Sequence, residues 1–179
     1  MKLIFIDPGH GGADPGATGY GYEEKNLNLI VSLYTAGIIR EMAPKLAVAF
    51  TRSSDNTLSL DARTSFANLA SADLFVSIHF NAGGGSGFET FKYPETVPET
   101  SEIQKKIHSV LAPYYEAIGL PNRGMKQADF HVLRETNMSA ILIECAFIDN
   151  SNDMAKIMYN DGLYNLATRI ARGIIYATA

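Results

Sequence analysis

Four side chains in this 179-residue sequence stand where chemistry is possible: His10, Glu24, His79 and Glu144. His10 lies in Asp7-Pro8-Gly9-His10-Gly11-Gly12, directly after the apolar run Leu3–Ile6. So much Gly and Pro bends the backbone sharply, and a histidine in such a turn raises two options, a bound phosphate or a bound metal ion. A P-loop needs Lys followed by Ser or Thr after its glycines, and a dinucleotide fold needs Gly-x-Gly-x-x-Gly leading into a helix. Gly9, Gly11, Gly12 and Gly16 fit neither spacing, and Asp14 and Pro15 oppose an anion. The metal option needs partners from elsewhere in the chain.

Those partners are residues that an apolar element would not otherwise carry. His79 ends the apolar stretch in Val-Ser-Ile-His-Phe-Asn-Ala, and Glu144 interrupts Ile-Leu-Ile-Glu-Cys-Ala-Phe. A charged carboxylate in an apolar strand costs several kcal/mol, on the order of the full desolvation penalty, unless it is paired or neutralised. An ion pair with Arg or Lys would meet that cost, and so would a nearby metal ion, which would also let Glu144 act as a general base. Glu24 opens a helical segment, where the macrodipole alone favours a carboxylate. His79 alone fits a core histidine, and His10 alone fits a bridge across its own turn. Taken together, two His and one Glu at one sheet edge make the ligand set of a catalytic zinc with a fourth position open. The remaining histidines read differently: His108 flanks an apolar helical stripe and is expected in solvent. His131 alternates with Phe130 and Val132, so it is expected on the opposite face, where it could line a groove. Cys145 offers a rival thiol nucleophile, but alternation turns it away from Glu144, and a buried structural role is expected.

The elements that must hold these residues follow from periodicity. Strand-like runs occur at Leu3–Ile6, Leu46–Thr51, Leu74–Phe80, Phe88–Tyr93, Phe130–Leu133 and Ile141–Phe147. Several are apolar on both alternating faces, as strands covered by helices on both sides are. Between them Leu27, Ile30, Val31, Tyr34 and Ile38 follow a helical period after Glu23-Glu24, and Ser59 reads as the N-cap of a helix carrying Ala62, Phe66 and Leu69. A third helix spans Ile103 to Ile118, with a kink expected at Pro113, and a fourth carries Leu163, Leu166, Ala167, Ile170 and Ile174. This alternation predicts an α/β fold: a single domain with a central, mostly parallel sheet flanked by helices on both faces. Ligands of such sheets bind at the carboxyl ends of the strands, where His10 and His79 fall. The Gly83–Gly87 run predicts a turn between two strands at the rim of the site, with Asn81 beside it. Arg52 and Arg63 are expected in internal hydrogen bonds and ion pairs.

Composition narrows the function. The length suits one core, and a net charge of −4 argues against nucleic acid as a partner. One cysteine excludes an internal disulfide and a Cys-rich zinc site. No apolar run approaches the ~18 residues of a membrane span, so no membrane partner is expected. Lys2–Ile6, cut off by Asp7, is too short for a signal-peptide core, and no signal peptide is expected in this chain.

These residues carry a family resemblance over nearly the whole length. The stretches IDPGHGG, YEEKNLNL, TRSSD, LDARTSFAN, SIHFNA, GFETF, NRGMK, FHVLRETNM and ILIECAFIDN, in this order and spacing, resemble the zinc-dependent N-acetylmuramoyl-L-alanine amidases of bacterial and phage cell-wall lysis. The resemblance implies one Zn²⁺ per chain on His10, Glu24 and His79, and a catalytic glutamate at Glu144. Glu24 is preferred to Glu23 because it directly precedes Lys25. It further implies hydrolysis of the amide between N-acetylmuramic acid and L-alanine, with residues 1–179 forming a zinc amidase catalytic domain that meets peptidoglycan at the cell wall, expected as a monomer. Two departures, Ser139 after Met138 and Ala146 near the catalytic position, touch no ligand and no base. A zinc peptidase acting on stem peptides and an inactive wall-binding module are the alternatives.

Overall fold

The computed structural model describes all 179 residues. The chain runs β1 (Leu3–Pro8), β2 (Thr18–Gly19), β3 (Tyr22–Glu23), α1 (Glu24–Met42), β4 (Ala47–Phe50), α2 (Leu60–Leu69) and β5 (Leu74–Asn81). It continues with β6 (Phe88–Lys92), α3 (Pro98–Ala117), β7 (Asn122–Gln127), α4 (His131–Arg134), β8 (Ser139–Phe147), α5 (Ser151–Ile157) and α6 (Gly162–Thr178). Six strands form one sheet in the order β4-β1-β5-β8-β6-β7. The strands β4, β1, β5 and β8 are mutually parallel, while β6 runs antiparallel to β8 and β7 lies parallel to β6. The sheet is therefore mostly parallel, as expected.

Alternation along the strands divides the sheet into two faces. Ile4, Ile6, Val76, Ile78, Ile141, Ile143 and Cys145 point into the larger core with residues of α1, α3 and α6. Phe5, Phe75, Ala140 and Leu142 point the other way, into a smaller core completed by Ala67 of α2 and Val132 and Leu133 of α4. Two-residue periodicity then puts Asp7, Ser77, His79 and Glu144 on this second, thinly covered face. The fold thus leaves polar residues at the open ends of strands whose middles are fully buried.

Local chemistry sets the boundaries. Ser59 caps α2, its hydroxyl accepting from Ala62 N–H at 3.1 Å, as expected from its type. Pro98 begins α3 where no N–H donor is needed, and the helix continues through Pro113. The expected strand at Phe130–Leu133 is instead a helical turn: the Phe130 carbonyl accepts from both Leu133 and Arg134 N–H at 3.0 Å. A four-residue apolar run does not distinguish the two states, and here both Val132 and Leu133 are buried, which a half-covered strand would not allow. The edge strand β7 and the short helix α5 were not anticipated. His108 is a further correction, since it is buried rather than solvated. It stacks on Phe88 with ring centroids 4.8 Å apart and meets Thr90 Oγ1 and Asn122 Oδ1 at 3.0 and 2.9 Å.

Candidate metal and catalytic centre

Three strand ends and one helix start converge. Gly9 N–H donates to the Ile78 carbonyl at 3.1 Å, tying the turn after β1 to the end of β5, and His79 pairs in register with Glu144 across β5 and β8. Glu24, the first residue of α1, enters beneath them and is buried. One ligand-type atom from each of His10, Glu24 and His79 lies within 4.8 Å of the others. His10 Nε2 is 3.1 Å from Glu24 Oε2, and His79 Nδ1 is 2.9 Å from Glu24 Oε1. The three residues singled out in the sequence are therefore brought together.

The turn bearing His10 is held rather than merely permitted. His10 has φ +59°, a left-handed conformation that costs a non-Gly residue about 1–2 kcal/mol. Two buried guanidinium groups take the carbonyls this bend exposes. Arg52 donates to Pro8 and Gly9 oxygens at 3.0 and 2.9 Å, and Arg63 donates to the Pro8 oxygen at 2.8 Å and to the His10 oxygen. Asp7 anchors the assembly, accepting from Arg63, Thr51 and Ser77 at 2.8, 2.6 and 2.7 Å. The internal roles expected for Arg52 and Arg63 are thus observed. The glycines are spatial requirements: a Cβ at Gly9 would stand 2.1 Å from His79 Cε1, and one at Gly16 would stand 2.6 Å from Glu24 Oε2.

Supporting donors fix each ligand. Glu24 accepts from Ala17 N–H at 3.0 Å, and from Asn28 Nδ2 and Phe80 N–H at 3.2 Å each. His10 Nδ1 stands 2.8 Å from Asp14 Oδ2, which directs Nε2 inward. This carboxylate–histidine pairing is the usual outer support of a metal ligand. Asp14 was missed in the sequence, although its position four residues after His10 was a usable signal.

The charges show what the pocket favours. The hydrogen bond to Glu24 raises His10 to about 9, burial opposing and Asp14 assisting. Burial works against the Glu24 carboxylate, yet hydrogen bonds from His10 and His79 hold its carboxyl well below the usual range. Burial likewise opposes protonated His79, but its bond to Glu24 and the charge on Glu144 raise it. Both imidazoles are thus biased towards their cationic form around Glu24, surroundings that suit a cation, and metal binding would compete with those protons. Glu144 behaves oppositely. Burial pushes it up to about 7, with His79 opposing and the Glu24 and Glu89 carboxylates adding. Its Oε2 is buried without any hydrogen-bond partner, an arrangement that costs stability and so marks a functional group. A convergent His-Glu-His set, glycine clearance around it and an orphan carboxylate oxygen beside it fit a bound divalent cation.

Beside these residues opens a cleft of about 500 Å³, lined by His10, Leu58, Arg63, Phe130, His131 and Glu144 among others. His131 lines it as a helical residue rather than by strand alternation, with Nε2 3.0 Å from Asp61 Oδ1. Gly83 and Gly84 form the β5–β6 turn, donating N–H to Asp149 Oδ2 at 2.8 and 2.9 Å. Cys145 is fully buried on the far face, and burial pushes its thiol well above the ordinary value.

An open α/β sheet with a His-Glu-His group that could hold a metal ion and a half-buried glutamate at its strand ends has the layout of a candidate hydrolase centre. Residues 4–176 match the N-acetylmuramoyl-L-alanine amidase family model, and the chain belongs to that family. It is 44% identical over 174 residues to the sporulation-specific N-acetylmuramoyl-L-alanine amidase of Bacillus subtilis, covering 97% of this chain and 67% of that protein. It is 40% identical over 176 residues to the endolysin of Bacillus phage SPP1, covering 97% of this chain and 65% of the endolysin. The chain thus spans about two thirds of the length of these relatives. The crystal structure of N-acetylmuramoyl-L-alanine amidase from Clostridium difficile 630 superposes with a TM-score of 0.90 at 34% identity, covering 97% of this chain and 95% of that one. The protein is an amidase, a hydrolase of the cell-wall class.

Proposed function

We propose that residues 1–179 form a monomeric catalytic unit that holds one zinc ion on His10, Glu24 and His79. In this reading it hydrolyses the amide between N-acetylmuramic acid and the L-alanine of the stem peptide, at the cell wall. The observation that carries the reading is Glu144, a half-buried residue whose Oε2 is buried without a partner, set in register with His79. When bound, zinc supplies Lewis-acid polarisation of a carbonyl and acidification of water. This chain's own residues do the remainder. Glu144, raised to about 7, is matched to taking a proton from the attacking water and passing it to the departing alanine nitrogen. Asp14 and Asn28 hold the ligands in place. Asn81 donates to Glu89 at 2.8 Å and so shapes the site rather than reacting. Family membership disfavours both the stem-peptide peptidase and the inactive module.

The test pairs elemental analysis with mass spectrometry of digested muropeptides. One zinc per chain and released peptides that begin with an intact L-alanine are expected, and chelation should abolish the release until Zn²⁺ is restored. Cleavage within the stem peptide, or full activity in metal-free protein, would refute the reading.

A further inference from the structure

Glu89 lies directly opposite Glu144 in the antiparallel β6–β8 pair, on the same face of the sheet, and is buried. Both oxygens of its carboxylate are engaged. Asn81 holds one oxygen, and both Arg123 and Lys126 hold the other. Two cations thus converge on one carboxylate, in a chain whose net charge is −4, with the Glu144 carboxyl across the β6–β8 pair as the next acid. Neutralising Glu89 needs only one of them.

The geometry keeps Arg123 open. Only its Nε is used, 3.0 Å from Glu89 Oε2, while its guanidinium lies over the Phe147 ring at 4.8 Å. Neither terminal nitrogen makes a hydrogen bond within the protein, so a stacked, anchored fork keeps two free donor groups. Such a fork matches a carboxylate in two-point geometry. Lys126 adds a second donor, and the two side chains are 35% and 38% exposed. The backbone is bent to place them. Between the Phe88–Asn122 and Thr90–Met125 pairs, Arg123 and Gly124 together oppose the single residue Glu89. This is a bulge, a device that re-aims a side chain. Gly124 has φ +88°, and its N–H is held by Asn122 Oδ1 at 2.8 Å. The same oxygen is held by buried His108, so the bend is locked from the core.

We propose that Arg123 and Lys126 form a subsite for a free carboxylate of the stem peptide. The proposal rests on the amidase reading above. Directly opposed residues stand about 5 Å apart at Cβ, so the cations lie on the order of 10 Å from the Glu144 carboxyl, which is two to three residues of extended peptide at ~3.5 Å each. The second residue of a stem peptide, and the third where it is a diamino diacid, carries a free carboxylate or a carboxamide in its place, and both lie within that reach. The subsite therefore selects the ionised peptide over the amidated one.

The experiment uses the full chain with three muropeptides: carboxylates at both positions, a carboxamide at residue two only, and a carboxamide at residue three only. The wild type should favour the carboxylate at one of the two positions by about tenfold in kcat/KM, the size of a partly exposed charge-assisted contact. Which carboxamide lowers the rate identifies the bound group. In the double variant Arg123→Gln/Lys126→Gln the preference should fall to near unity, chiefly through KM, and Arg123→Lys should keep part of it. Raising salt should erode the wild-type preference as well, a readout that needs no variant. Equal wild-type rates on all three substrates would overturn the subsite while leaving the amidase intact. So would a double variant that is slower on every substrate with its preference unchanged. A wild type inactive on all three would sink the amidase reading, and the subsite with it.

Discussion

Replacing Glu144 by Gln should make the metal-free protein more stable and the enzyme far less active. The carboxyl is raised by burial from its ordinary 4.5 to about 7. Between those values the unfolded chain releases a proton that the folded chain keeps, so the folded state loses stability as pH rises through this window. Below pH 4.5 both states are protonated and the group contributes no pH dependence. Above about 7 the full penalty is present. The interval from 4.5 to about 7 corresponds to a ceiling of about 3 kcal/mol at ~1.4 kcal/mol per pH unit. Glutamine is nearly isosteric and uncharged, so it removes this slope. For a chain of this size 1 kcal/mol moves Tm by about 2–4 °C, and the variant should melt up to roughly 12 °C above the wild type at pH 8, with the gap closing towards pH 4.

The assay is a pair of measurements on the same preparations. Melting with chelator present, from pH 4 to 8, reads the penalty, while turnover and zinc content at pH 7.5 read the chemistry. Turnover should fall by at least the ~10²-fold of lost general acid–base catalysis, with zinc content unchanged. A Tm gap independent of pH would refute the claim that a strained carboxylate occupies the site. Near-normal turnover would remove Glu144 from the mechanism, and lost zinc would make it a ligand.

The other expectations concern the frame of the site. Gly9→Ala should weaken zinc binding by at least ~10-fold with the fold retained, because the new Cβ would meet His79 Cε1 at 2.1 Å; titration with Zn²⁺ showing wild-type affinity would contradict this. Native Cys145 should resist alkylation, and Cys145→Ala should keep wild-type turnover per folded molecule, since its side chain is fully buried on the face opposite Glu144. Mass spectrometry of the native adduct and a rate measurement check both.

What the sequence reveals depends on whether a residue contradicts its own surroundings. Glu144 was legible because a carboxylate does not belong in an apolar strand, and its alternation with Cys145 assigned the two side chains to opposite faces without any structure. His10 was legible because its glycine turn admits few purposes. Asp14 supports His10 from an ordinary loop position, where a carboxylate contradicts nothing, and its role depends on a bend that only the φ +59° at His10 produces. The α4 turn was misread because the cost of exposing Val132 and Leu133 is settled by the sheet face they cover, which lies far away in sequence. The edge strand β7 shows the limit most sharply. Its polar Asn-Arg-Gly-Met-Lys-Gln has no apolar alternation to detect, and glycine argues locally against a strand. It is a strand because Phe88 to Lys92 supply a partner edge, and because Asn122, gripped by His108, fixes the turn at Gly124. The side chains that this irregularity aims, Arg123 and Lys126, look like solvated surface charge until Glu89 is found beneath them. Glu89 in turn is visible only once β6 is known to run antiparallel beside β8, placing a buried carboxylate against the Glu144 carboxyl.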